Sequence, residues 1–122
     1  MKKSLEWCIE INSKYIGHAR LTVTGRDNKA RYAIGIFDPI YWGRGIGTEV
    51  THLVLDYAFN ELGLHRVDLK VLEYNTRGIR CYEKCGFILE GKEREGALIE
   101  GKYENDLTMG ILDYEYRASE QG

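Results

Sequence analysis

Hydrophobic residues change their spacing twice along this chain, and the two changes leave few folds open. In the first third, Trp7, Ile9 and Ile11 alternate with Cys8, Glu10 and Asn12. Ala19, Leu21 and Val23 alternate with His18, Arg20, Thr22 and Thr24, and Tyr32, Ile34 and Ile36 alternate with Arg31, Ala33 and Gly35. A period of two means a strand with one buried face. Asn12-Ser13-Lys14 and Gly25-Arg26-Asp27-Asn28 supply turn chemistry between these strands. The spacing then becomes helical: Val50, Leu53, Val54, Tyr57, Ala58 and Leu62 share one face, and Gly63 stands where a helix ends. Val67, Leu69 and Val71 restore the period of two. A strand–helix–strand crossover of this kind joins parallel neighbours.

The remainder adds a second, shorter helix carrying Ile79, Tyr82 and Cys85, with Asn75 as its N-cap and Gly86 at its end. A strand from Phe87 to Glu93 follows, then a last strand through Leu107, Met109 and Ile111, and a polar tail over 113–122. The expectation is an α+β (mixed α/β) domain. A mostly antiparallel twisted sheet would hold one locally parallel pair and be flanked by two helices. At 122 residues, 43% hydrophobic and 30% charged, the whole of 1–122 reads as a single domain.

The segment with the most chemical content is Ile36-Phe37-Asp38-Pro39-Ile40-Tyr41-Trp42-Gly43-Arg44-Gly45-Ile46-Gly47-Thr48. A strand ends, a proline turn follows, and a loop with glycine at alternate positions enters a helix. Bare backbone N–H groups, the partial positive charge of a helix start and the charge of Arg44 together suit a pyrophosphate. Gly47-Thr48 lacks the lysine of a Walker loop, and Thr48 stands where a dinucleotide fingerprint has its third glycine. Taken alone, the glycines also fit a turn that does no more than start a helix.

This segment resembles motif A of the GNAT N-acetyltransferases, read here as Trp42-Gly43-Arg44-Gly45-Ile46-Gly47. Downstream, Val71-Leu72-Glu73-Tyr74-Asn75 and Cys81-Tyr82-Glu83-Lys84-Cys85-Gly86-Phe87 resemble that family's motif B. Phe87-Ile88-Leu89-Glu90-Gly91, Gly101-Lys102-Tyr103 and Met109 resemble its ribosomal-protein and spermidine acetyltransferase branch, of which Trp42 is a further mark. The likeness runs from about Trp7 to Tyr116.

The resemblance implies a GNAT fold and transfer of an acetyl group from acetyl-CoA to a primary amine by direct attack. It places the pantetheine arm against the backbone of Gly35, Ile36 and Phe37. The pyrophosphate falls on Trp42, Gly43, Arg44, Gly45, Ile46, Gly47 and Thr48. Asn75 would bond the coenzyme arm, act as a plain helix cap, or do both. Tyr82 would bind the coenzyme and protonate the leaving thiolate, although its helical stripe with Ile79 and Cys85 also fits a core tyrosine. Lys70 stands where some relatives carry a glutamate base, so no base carries over; Glu10, Glu73 and Glu104 are the candidates. Gly78 replaces a small side chain usual after the motif B asparagine, which weakens that helix somewhat.

Relatives ordinarily carry a strand and one or two helices ahead of the position of Trp7, and these wall the acceptor site. The expectation is therefore a homodimer whose second subunit supplies the wall, or an acceptor groove that is open, or else a coenzyme-binding module with little transfer activity. The acceptor would be a small-molecule or peptide amine.

Other classes are set aside on composition. A net charge of −2 with no basic block gives no footprint for nucleic acid. No run is long and apolar enough for a membrane span. Three cysteines, an odd number, with no signal peptide at Met1-Lys2-Lys3 point to the cytoplasm. Cys81-x-x-x-Cys85 without a histidine pair at ligand spacing implies no metal.

Overall fold

A computed structural model describes residues 2–121. Six strands form one sheet in the order β1-β2-β3-β4-β6-β5. They are β1 (Lys2–Ile11), β2 (Lys14–Thr24), β3 (Lys29–Ile36), β4 (Arg66–Leu72), β5 (Ile88–Ile99) and β6 (Lys102–Leu112). The helices are α1 (Ile46–Asp56), α2 (Thr76–Lys84) and α3 (Asp113–Gln121).

The turns explain the hairpins. Asn12 and Ser13 both adopt positive φ, 50° and 67°, the left-handed pair whose twist matches that of two antiparallel strands. A single turn of tight helix at Gly25–Asp27 carries β2 into β3 and ends on Asn28 at φ 52°. α1 widens over Tyr57–Glu61, where the Leu62 N–H bonds the Tyr57 carbonyl at 3.0 Å, and Gly63 turns the chain at φ 64°.

The period of two sorts the sheet into two faces. Leu21, Tyr32, Val67, Leu69, Met109 and Ile111 are buried, and with Val54, Leu55 and Phe59 of the central helix they build one core. Arg20, Arg31 and Lys70, from the alternate positions, are exposed. Burying side chains of this size stabilises the domain by roughly 1.5 to 3 kcal/mol each before the entropy of ordering them is counted.

Every strand pair is antiparallel except one. β3 and β4 run parallel over three rungs, Lys29↔Arg66, Ala30↔Val67 and Arg31↔Asp68. Beyond Arg31 and Asp68 no further rung joins these two strands, although β3 continues to Ile36 and β4 to Leu72. The sheet therefore opens in its middle.

Two expectations need correction. Residues 113–121 are not a polar tail but α3, so three helices flank the sheet rather than two. Tyr116 is buried, stacks on Phe59 at 5.1 Å between ring centroids, and donates to Asp56 Oδ1 at 3.2 Å. Glu115 reaches back to accept from the Leu112 N–H at 2.9 Å. With only Tyr114 and Tyr116 as large apolar residues, the segment has no helical stripe to read. The strand expected to end at Glu93 instead continues to Ile99, through irregular pairing between Glu93 and Ala97. Its sequence Lys92-Glu93-Arg94-Glu95 is exposed throughout; Lys92 and Glu93 pair with Leu107 and Asp106 of β6, and past them the Glu95 N–H donates to Asn105 Oδ1 at 2.7 Å.

Candidate active site

The opening between β3 and β4 and the start of α1 meet at one place. Backbone geometry forms the cradle there. Gly43 and Gly45 sit at φ 74° and 79°, a region costing other residues roughly 1 to 2 kcal/mol. Gly45 is the N-cap of α1 and offers no side chain to bond the first turn. The first intrahelical bond runs from the Glu49 N–H to the Gly45 carbonyl at 3.0 Å. The N–H groups of Ile46, Gly47 and Thr48 precede it and have no intrahelical acceptor. They form a donor set at a helix start, the geometry that takes an anion.

The neighbouring side chains fix this loop. Asp38 accepts from the Ile40 N–H at 3.1 Å and shapes the proline turn. The Trp42 indole donates to the Ile36 carbonyl at 2.9 Å and tethers the loop to the end of β3. Arg77, in the first turn of α2, lies over the Trp42 ring at 5.0 Å, and Arg44 lies 5.9 Å from the Tyr41 ring. Two cations thus stand against the aromatic rings of this loop; of these, no pattern in the sequence singles out Arg77. Thr48 joins the loop to α2: its hydroxyl donates to Cys81 Sγ at 3.5 Å, and the Cys85 thiol donates to its carbonyl at 3.6 Å. The neighbouring Cys85 and Thr48 hold the Cys81 thiol below the ordinary range, and the same thiol–thiol pairing, with burial, pushes Cys85 up.

The β3 side of the opening offers backbone. The Phe37 N–H is committed to the Ile16 carbonyl of β2 at 2.8 Å, so Phe37 presents its exposed ring, edge-on to Tyr15 at 5.3 Å. Strand alternation turns the polar groups of Ile34 and Ile36 the other way, into the opening. A side chain at Gly35 would meet no atom within 4 Å, so this glycine keeps the surface beside the opening clear. Of Gly35, Ile36 and Phe37, Ile36 is therefore the one with a backbone N–H aimed into the gap.

Asn75 does act as a helix cap: its Oδ1 accepts from the Gly78 N–H at 3.0 Å. Gly78 has a local reason, because a Cβ there would stand 2.6 Å from Asn75 Nδ2. Tyr82 is half-buried against the core, edge-on to Phe87 at 5.9 Å. Burial, with the thiols of Cys81 and Cys85 beside it, pushes its hydroxyl up to about 12, so it stays protonated at neutral pH.

The candidate bases fare differently. Glu73 is fully engaged: Asn105 Nδ2 donates to Oε1 at 3.0 Å and Lys92 pairs with Oε2 at 2.9 Å. These contacts hold its carboxyl below the usual range. Lys70 pairs with Glu93 at 3.8 Å. Glu10 lies on β1, two strands from the opening, and Glu104 lies on β6 opposite Ala97.

An open groove of about 600 Å³ leads away from the cradle between α1 and α3, lined by Gly45, Thr48, His52, Lys84 and Tyr116 among others. A smaller apolar one of about 350 Å³ lies between β1 and α1, with Trp7, Leu53 and Tyr57 in its wall. Among the described residues no group of histidine, cysteine and acidic side chains is disposed to hold a metal, and no helix is long and apolar enough to cross a membrane.

Known proteins share both the sequence and this fold. The model of the acetyltransferase (GNAT) family matches residues 2–87. The probable N-acetyltransferase YjcK of Bacillus subtilis is 43% identical over 81 residues, 66% of this chain and 45% of that protein. The spermidine N(1)-acetyltransferase of Escherichia coli K12 is 36% identical over 83 residues, 68% of this chain and 45% of that protein. The chain thus spans about half the length of these curated relatives. Among solved structures, a dodecameric spermidine N-acetyltransferase from Vibrio cholerae superposes with a TM-score of 0.85 at 30% identity. That match covers 93% of this chain and 67% of the other.

Proposed function

The chain belongs to the GNAT acetyltransferase family, and from that premise we propose that it binds acetyl-CoA and transfers the acetyl group to a primary amine. The observation that carries this reading is the conjunction of a parallel pair that opens after three rungs with an uncapped helix start at the mouth of the opening. The N–H groups of Ile46, Gly47 and Thr48, with Trp42, Gly43, Arg44 and Gly45 shaping the loop, would hold the pyrophosphate. The backbone of β3 at Ile34 and Ile36 would take the pantetheine arm as an added strand takes its neighbour, with Gly35 between them and the Phe37 ring beside it. The groove along α1 suits the nucleotide end. Asn75 fixes the start of α2, and with it the position of Tyr82.

The chemistry asked of the side chains is modest. An amine attacks the thioester carbonyl, the carbon–sulfur bond breaks, and the thiolate needs a proton. A thiol titrates near 8.5, below the Tyr82 hydroxyl, so full transfer to the free thiolate runs uphill. The Tyr82 O–H donates to the sulfur as its charge develops, and the proton that the acylated nitrogen sheds replaces any that Tyr82 delivers, so the products are the amide and the free thiol. Glu73 is a poor base, since its carboxylate is already held by two donors. The acceptor proposed is a small or peptide amine. Spermidine is the first to test, because it is the substrate in the names of the Escherichia coli and Vibrio cholerae proteins above.

A homodimer is proposed on the apolar groove walled by Trp7, Leu53 and Tyr57, where Leu53 is 66% exposed. A monomer in size-exclusion chromatography with light scattering, at all concentrations, contradicts it. The three free cysteines suit the reducing cytoplasm. The direct test is thiol release from acetyl-CoA with a panel of amines. Release that depends on an amine supports transfer; tight binding without release on any amine contradicts it.

A further inference from the structure

Behind the cradle lies a buried polar chain that the transfer reaction does not use. Thr51 and Tyr32 are 0% and 2% exposed. The Thr51 hydroxyl donates to the Gly47 carbonyl at 2.7 Å, and Tyr32 Oη lies 2.9 Å from Thr51 Oγ1. A threonine hydroxyl has one proton. Since that proton goes to Gly47, Thr51 accepts, and Tyr32 is the donor. The order is Tyr32 O–H to Thr51 O–H to the Gly47 carbonyl. That carbonyl belongs to the same peptide unit as the Thr48 N–H, which points the other way, out of the helix start.

We propose that Tyr32 and Thr51 are positioning residues that polarise the Gly47–Thr48 peptide and so strengthen the Thr48 N–H as a donor to the coenzyme pyrophosphate. This rests on the reading of the cradle given above. Hydrogen bonds in series reinforce one another in a low-dielectric interior, by about 10 to 30% per bond. Each added donor on the carbonyl draws electron density from the amide and makes its N–H more acidic. The Gly47 carbonyl also accepts the helical bond expected from the Thr51 N–H, so the side chain supplies a second donor to one oxygen. Tyr32 sits one residue past Arg31, the last rung paired to β4. The chain therefore runs from the strand at the opening, through the core, to the first turn of α1. Burial pushes the Tyr32 hydroxyl well up, which keeps its proton in place at every working pH.

The test compares Thr51→Val, Thr51→Ser and Tyr32→Phe with the unaltered protein. Two ligands are used: acetyl-CoA, and S-acetylpantetheine, which lacks the pyrophosphate. Thr51→Val should weaken acetyl-CoA binding by about threefold to fivefold in calorimetry, Tyr32→Phe should weaken it less, and Thr51→Ser should restore it. kcat/KM with S-acetylpantetheine should not move. A general structural role lowers both alike, and that result overturns the proposal, as does full acetyl-CoA affinity in Thr51→Val. Should Thr51→Val fail to fold, Tyr32→Phe decides on the same criteria.

If the unaltered protein does not bind acetyl-CoA, the proposed function falls and the relay is judged separately. The Thr48 amide proton, followed by nitrogen-15 correlation spectra of the free protein, should move upfield in Thr51→Val and Tyr32→Phe and hold in Thr51→Ser. A Thr48 amide unmoved in the first two overturns the relay.

Discussion

β3 and β4 are one pair of strands with two characters. Over the first three rungs they are hydrogen-bonded and locked by charge. Arg31 Nε meets Asp68 Oδ1 at 2.5 Å, Arg66 meets Asp68 Oδ2 at 3.3 Å, and Arg66 meets Glu90 of β5 at 2.5 Å. Past Arg31 and Asp68 the strands share no rung, and what lies behind them is the buried Tyr32–Thr51–Gly47 chain and the uncapped start of α1. The paired half spends its polar groups on itself. The open half leaves the Ile36 N–H and three helix-start N–H groups for a ligand. Backbone that is unsatisfied at a defined place is a binding site when a ligand can complete it. The contrast teaches where the charge is placed: the ion network sits at the last closed rung, Arg31↔Asp68, immediately before the opening.

Removing Asp68 strikes the paired half hardest. Asp68→Ala leaves two arginines without their shared partner, and unfolding in urea should show a loss of about 2 to 3 kcal/mol. This lies just below the roughly 3 to 5 kcal/mol of a fully buried pair that loses one partner, because Arg31 stays half in water. A loss under about 0.5 kcal/mol, the level of an exposed pair, would show that the network does not hold the strands.

The open half breaks differently. Tyr82→Phe should leave acetyl-CoA affinity nearly unchanged and cut turnover about a hundredfold, read by thiol release; an unaltered rate removes Tyr82 from the mechanism. Because its hydroxyl is pushed up to about 12, any loss of rate between about pH 8 and 10, where ordinary thiols and amines titrate, should persist in that variant.

Gly45→Val should weaken acetyl-CoA binding by about tenfold or more, since a β-branched residue cannot hold φ 79° without moving the loop. Retained affinity places the cradle elsewhere.

The smallest effect is in pH. Hydrogen bonding to Arg66 holds the Glu90 carboxyl below its ordinary value of 4.5. A depressed carboxyl stabilises the fold above that ordinary value and loses its contribution as pH falls through the lower, folded one. Tm should therefore drop more steeply below pH 4.5 in the unaltered protein than in Glu90→Gln, and equal slopes would detach Glu90 from the network.

What the sequence made legible follows the physics of each region. Periods of two and of 3.6 placed the strands, the central helix and the parallel pair, because burial writes itself into spacing. The glycines marked the turn into α1, the candidate cradle, because Gly43 and Gly45 need a backbone region other residues avoid. α3 was illegible, since one buried tyrosine, Tyr116, makes no periodic stripe. The long β5 was only half legible, as exposed charged residues carry no period. Arg77 over Trp42, the commitment of Glu73 to Asn105 and Lys92, and the Tyr32–Thr51 contact join residues far apart in the chain. Local sequence holds no record of such meetings. Gly78, which by helix propensity weakens α2, makes room for the Asn75 cap.

The central claim is that the opening beside α1 is an acetyl-CoA site, and calorimetric titration with acetyl-CoA, with NAD and ATP as controls, tests it most directly. Micromolar binding of acetyl-CoA, with no binding of either control, is the predicted result. A well-folded sample that binds NAD or ATP but not acetyl-CoA, or none of the three, would contradict it.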